Sequence, residues 1–92
     1  MPQVAELWSR PNNFAIVQLP ERAFPGVVVQ GDTLNTLVGQ LERMNTLLGS
    51  NQLEELAEEI EDMRDRLADA RVYYETVCSA RGVALPYPKE SR

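Results

Sequence analysis

Residues 24 to 34 read Phe24-Pro25-Gly26-Val27-Val28-Val29-Gln30-Gly31-Asp32-Thr33-Leu34, and the fold turns on how this stretch divides. Val27 to Gln30 is a β-branched run suited to a strand, and Gly31 interrupts it. Asp32 is placed to cap a helix by accepting a hydrogen bond from an orphan backbone N–H one turn on. The stretch therefore reads as a strand-to-helix corner. Upstream of it apolar residues alternate; downstream they recur at helical spacing.

Working upstream, Gln3 to Ser9 places Val4, Glu6 and Trp8 on one face and Ala5 and Leu7 on the other, a strand pattern. Arg10-Pro11-Asn12-Asn13 is turn chemistry, and Phe14 to Leu19 supplies a second strand that Pro20 ends, because proline cannot donate to a ladder. With Val27 to Gln30 this predicts a three-stranded antiparallel sheet over residues 3–31. So small a sheet needs a cover on its apolar face.

The cover comes from downstream. A first helix is predicted over 32–49, with Leu34, Leu37, Leu41, Met44 and Leu48 spaced by threes and fours and with Val38 and Leu47 widening the stripe. Gly39 interrupts the pattern, either for a close approach by another backbone or as a tolerated flaw. Gly49 is placed to end the helix in a left-handed conformation, and Asn51 with Glu54 resembles a reciprocal cap opening a second helix over 51–81. There Leu53, Leu56, Ile60, Met63, Leu67, Ala70, Tyr74 and Val77 predict a narrow seam against the first helix. The second helix is overlong, about 45 Å against about 24 Å at 1.5 Å per residue. Past Leu67 it also becomes apolar on further sides, with Ala68, Val72 and Tyr73, so residues 67–78 are expected to meet the sheet, a second copy or a partner. Gly82 stops the helix, and 82–92, with Pro86 and Pro88, reads as an extended tail. The fold class is α+β, a single domain over 1–92.

Charge is concentrated in the second helix. Eight carboxylates against three arginines between Asn51 and Arg71 account for the whole net charge of −5. An acidic domain without a basic stripe speaks against nucleic acid, whose phosphates need cations, and for a basic protein partner. No apolar run approaches the ~20 residues that span a bilayer, so no membrane segment is expected. The single cysteine, Cys78, cannot make an internal disulfide, and no signal-peptide pattern stands at the start, so a cytoplasmic setting is expected. Ninety-two residues bury only roughly two-thirds of the unfolded surface, which favours a homodimer or a partner.

Catalytic chemistry is thin. There is no histidine, one cysteine cannot build a zinc site, and Gly26 and Gly31 lack the following residues of a phosphate-binding loop. Glu55 with Glu58 and Glu59 with Asp62 have the i, i+3 spacing by which helical nucleotide pyrophosphohydrolases hold magnesium, but a second pair on another helix is missing. No cofactor and no metal are expected. The partner-binding candidates are Glu54, Glu55, Glu58, Glu61, Asp62 and Asp65, the face opposite the seam; Leu67, Val72, Tyr73 and Trp8 are candidates for an oligomer or partner interface, with core packing as the alternative for the aromatics. Cys78 is expected to be a small buried hydrophobe.

Leu19-Pro20, Phe24-Pro25-Gly26 and Val29-Gln30-Gly31-Asp32-Thr33-Leu34 together resemble the signature of the HicB-type antitoxins of bacteria, and also short bacterial proteins with the same Pro-Gly-Val-Val-Val-Gln-Gly-Asp run. The resemblance covers about residues 3–48. It implies a partial, catalytically inactive ribonuclease-H-like core and a protein that neutralises a small basic toxin. The sequence departs from that pattern after the first helix, where a long acidic helix replaces a further strand, and the tail has no room for a DNA-binding domain. The resemblance thus implies a toxin-blocking or immunity role without transcriptional regulation. The alternatives are a homo-oligomeric adaptor and, more remotely, a magnesium-dependent nucleotide hydrolase.

Overall fold

A computed structural model describes residues 4–10 and 13–89. Strand β1 (Glu6–Leu7), strand β2 (Phe14–Gln18), strand β3 (Gly26–Val29), helix α1 (Gly31–Gly49) and helix α2 (Leu53–Ala80) follow in chain order. The sheet is antiparallel in the order β1-β2-β3, with Glu6 opposite Gln18 and Phe14 opposite Val29. The fold class is the α+β arrangement expected: a three-stranded sheet and two helices. β1 is shorter than its alternation suggests, because beyond Leu7 the pairing is completed by single bonds: Trp8 N–H donates to the Ile16 carbonyl at 2.8 Å, and the Ser9 hydroxyl accepts from Ile16 N–H at 2.8 Å. The expected start at Gln3, residues 11 and 12 of the first turn and the end of the tail at 90–92 lie outside the described residues.

The β2–β3 connection begins with a tight turn at Leu19-Pro20-Glu21-Arg22. Pro20 presets the first corner, Glu21 takes a φ of 64°, and Arg22 N–H reaches back to the Leu19 carbonyl at 3.4 Å.

The corner at 30–34 is tighter than the sequence suggests. Gln30 is both the last rung of the sheet, donating to the Asn13 carbonyl at 3.1 Å, and the N-cap of α1, accepting from Leu34 N–H at 2.9 Å. Asp32 is therefore not the cap. It sits in the first turn and accepts from its neighbour Thr33 N–H at 2.9 Å, where its charge still meets the positive end of the helix dipole. Gly49 is likewise helical, and the left-handed residue is Asn51, with a φ of 58°. Asn51 N–H bonds the Leu48 carbonyl and Gln52 N–H the Leu47 carbonyl, a complete Schellman closure, so Asn51 serves the end of α1 and does not cap α2 with Glu54. Gly82, at a φ of 67°, closes α2 in the same way, with its own N–H on Ser79 and that of Val83 on Cys78.

The core lies where α2 crosses the sheet. Ile16 and Cys78 are fully buried and Tyr74 nearly so; Trp8, Tyr73, Val77, Val83, Leu85 and Tyr87 pack around them. Residues 67–78 thus include the part of α2 that seats on the sheet. The tail from 83 to 87 does not run free: Val83, Leu85 and Tyr87 return to the core and close its end.

The helical seam differs from expectation. Leu56, Met63, Leu37, Met44 and Leu47 lie between α1 and α2 and are half-buried or buried, whereas Leu53, Ile60 and Leu67 stand 44 to 54% exposed. The three-four pattern had merged two stripes, one inside the hairpin and one beside it.

Candidate functional site

α2 sorts its carboxylates by what α1 offers them. Arg43 of α1 reaches across to Glu55 at 3.6 Å and Glu59 at 3.3 Å, and Gln40 donates to the Glu59 carbonyl at 3.0 Å and to Asp62 at 3.2 Å. Asp62 also meets Arg66 at 3.2 Å, one turn along, and Asp65 stands 3.9 Å from Arg64. Glu54, Glu58 and Glu61 have no ion pair or hydrogen-bonding side chain among the described residues, and all three are exposed. Of the six expected partner-binding residues, Glu55 and Asp62 are therefore held toward α1, while Glu54, Glu58, Glu61 and Asp65 line the outward edge. The helix pitch explains the division: at about 100° per residue, Glu54, Glu58, Glu61 and Asp65 fall within one narrow sector away from α1.

At least one member of each carboxylate pair with magnesium spacing is engaged by the same contacts, Glu55 of the first pair and Glu59 of the second, while Glu58 stays outward. Glu55 and Glu59 share the Arg43 guanidinium, which draws both carboxylates toward α1. No group of three or more metal-binding side chains is assembled among the described residues.

The interface candidates divide. Leu67 and Val72 are exposed at 44 and 57%. Tyr73 is half-buried at the core margin, and so is Trp8, whose indole N–H donates to Glu6 at 2.8 Å while the Arg81 guanidinium lies 4.7 Å above its ring. Arg81 also approaches Glu6 at 3.4 Å, so strand β1 is tied to the end of α2 by a cation held between a ring and a carboxylate.

An apolar groove that periodicity did not reveal runs between β3 and α2. It encloses about 420 Å³ and is lined by Phe14, Pro25, Val27, Val29, Leu67 and Tyr74, with Arg71 and Tyr87 at its borders. Its floor is fixed by Tyr74, whose hydroxyl donates to the Pro25 carbonyl at 2.7 Å. Burial, and next the Cys78 side chain beside it, pushes the Tyr74 phenol up to about 12. The Tyr87 ring stacks on Tyr74 at 6.4 Å, and its hydroxyl donates to Glu75 at 3.2 Å; burial first and that carboxylate second raise its pKa as well. Both phenols stay neutral hydrogen-bond donors at physiological pH. The sequence signal for Tyr87 was the alternation of Val83, Leu85 and Tyr87, which the flanking prolines obscured.

No described helix is long and apolar enough to cross a membrane. No curated protein and no solved structure matches the chain. A family model does match, over residues 2–87 and so across sheet, both helices and the returning tail. The chain belongs to that family, DUF6959, a family of unknown function.

Proposed function

We propose that this protein is a non-catalytic inhibitor of antitoxin or immunity type, which binds a small basic effector protein in the cytoplasm and occludes it. The observation that supports the reading is the outward edge of α2, where Glu54, Glu58 and Glu61 present carboxylates that no cation of the chain neutralises among the described residues. Unpaired charges on one rigid helix draw an oppositely charged partner in and select against acidic ones. The resemblance of the Phe24–Leu34 corner to the HicB signature supports the same class, and the inner carboxylates, already engaged by Arg43 and Gln40, act as structure.

The test is co-expression with the product of the adjacent gene, followed by size exclusion at low salt. A complex is expected, and reversing Glu54, Glu58 and Glu61 to lysine is expected to weaken it at least tenfold while leaving the helical circular dichroism intact. A complex indifferent to both the reversal and salt would remove the acidic edge from the interface. No complex at all would sink the inhibitor reading. A homo-oligomeric adaptor is the second reading, favoured by the amount of leucine left bare on the hairpin.

A further inference from the structure

The bare leucines have an order. On α1, Leu34, Leu41 and Leu48 stand one heptad apart, and on α2 Leu53, Ile60 and Leu67 do the same; all six are 44 to 59% exposed. They share one side of the hairpin. The contacts of Arg43 with Glu55 and Glu59, and of Gln40 with Asp62, lie to one side of the buried Met44 and Met63 lines, and by helical phase the leucines of both helices lie to the other. The same contacts set Leu41 level with Ile60. Leu34 is then level with Leu67, and Leu48 with Leu53, giving three two-residue layers about 10.5 Å apart.

We propose that this face is a homodimer interface, in which two hairpins close on each other as an antiparallel four-helix bundle about a two-fold axis through the Leu41–Ile60 layer. Under that axis the Leu34–Leu67 layer meets Leu48 and Leu53 of the second copy, and the central layer meets itself, so the face is complementary to its own copy in pitch and width. Area points the same way. The chain exposes 7026 Å², where a compact monomer of 10.4 kDa exposes about 5400 Å²; the excess of roughly 1600 Å² exceeds the ~800 Å² each partner gives to a standard interface. Its radius of gyration of 16.4 Å compares with about 12 Å for a compact chain of this length.

The sheet fixes the orientation. Cys78 has the same phase on α2 as Ile60, five turns on, and Ile16 of the sheet covers it. Tyr74 and Val77, in the same core, lie nearer the phase of the seam, so the sheet continues the seam and reaches onto the leucine side at Cys78, at the Leu67 end only. Two copies with their sheets at the same end would collide there, while the antiparallel pairing brings the turn between Leu48 and Leu53 of the second copy against the mouth of the groove at Leu67. The free carboxylates of α2 lie about 100° or more around that helix from Ile60, so the two acidic edges stay apart.

Sedimentation equilibrium of the full chain is expected to give twice 10.4 kDa. Leu41→Glu with Ile60→Glu, at positions already half exposed, is expected to halve the mass and keep the helical signal. Register is read by cysteine cross-linking: Leu41→Cys is expected to oxidise to a covalent dimer by itself, and Leu34→Cys to do so only when mixed with Leu48→Cys. A wild-type monomer across the concentration series, a double variant that remains dimeric, or cross-linking of Leu34→Cys with Leu67→Cys in place of Leu48→Cys overturns the proposal. None of these readouts involves the basic effector, so their failure is separate from failure of the inhibitor reading.

Discussion

Removing one oxygen atom tests how the corner is fastened to the core. Tyr74→Phe deletes the hydroxyl that donates to the Pro25 carbonyl at 2.7 Å, between two buried residues 49 positions apart in the chain. The ring remains, so the loss is a hydrogen bond and an orphaned carbonyl, worth about 1–3 kcal/mol. That is a large share of the roughly 5–14 kcal/mol held by a domain of this length. With a urea slope of about 1–2 kcal/mol/M, the unfolding midpoint is expected to fall by about 0.5–3 M at fixed protein concentration. A second signature separates this bond from general loosening. The Tyr74 phenol titrates at about 12 in the folded chain and about 10 when unfolded. Below pH 10 both states keep the proton and its contribution is whole; as pH rises from 10 to 12 the unfolded state releases the proton first, and roughly 2–3 kcal/mol of stability is lost. Tyr74→Phe is expected to flatten that alkaline slope, leaving the smaller part due to Tyr87. Urea titrations of both proteins at pH 8 and at intervals up to 12 measure it. A variant within 0.3 kcal/mol of the parent, or one with an undiminished slope, would refute the reasoning.

Gly39→Ala is expected to raise stability by about 1 kcal/mol, since a Cβ there meets nothing within 4 Å and glycine is a poor helix former; a lower melting temperature would mean that something covers the site. Asn51→Ala is expected to cost about 1 kcal/mol because Asn51 holds a φ of 58°, whereas Asn51→Gly is expected to be neutral or stabilising. Equal losses from the two would contradict a conformational origin, and thermal melts of the pair decide it.

The sheet was legible because its punctuation is local. Pro20, Pro25 and Gly26 each act within a residue or two, and the strands fall where those breaks place them. The caps were less legible for the opposite reason. Asp32 and Gly49 are good capping residues, but Gln30 already sat extended in the ladder and Asn51 could take the left-handed turn, so each end of α1 extends two residues past the favoured type. The seam was misread because heptad spacing cannot say whether Leu56 or Ile60 faces inward; that depends on how far α1 is rotated. The acidic edge was legible as composition. Its division into held and free carboxylates was not, because it rests on the level at which Arg43 faces Glu55 and Glu59.

Leu47 is the only buried side chain that α1 contributes among its 19 residues, whereas α2 is anchored through Tyr74 and Cys78. In an isolated chain the amides of α1 therefore exchange with solvent through local opening, at a fraction of the cost of unfolding the core. Slow exchange confined to the leucine-bearing turns of α1 would have to be supplied from outside the chain, and its concentration dependence would map residue by residue where that support arrives.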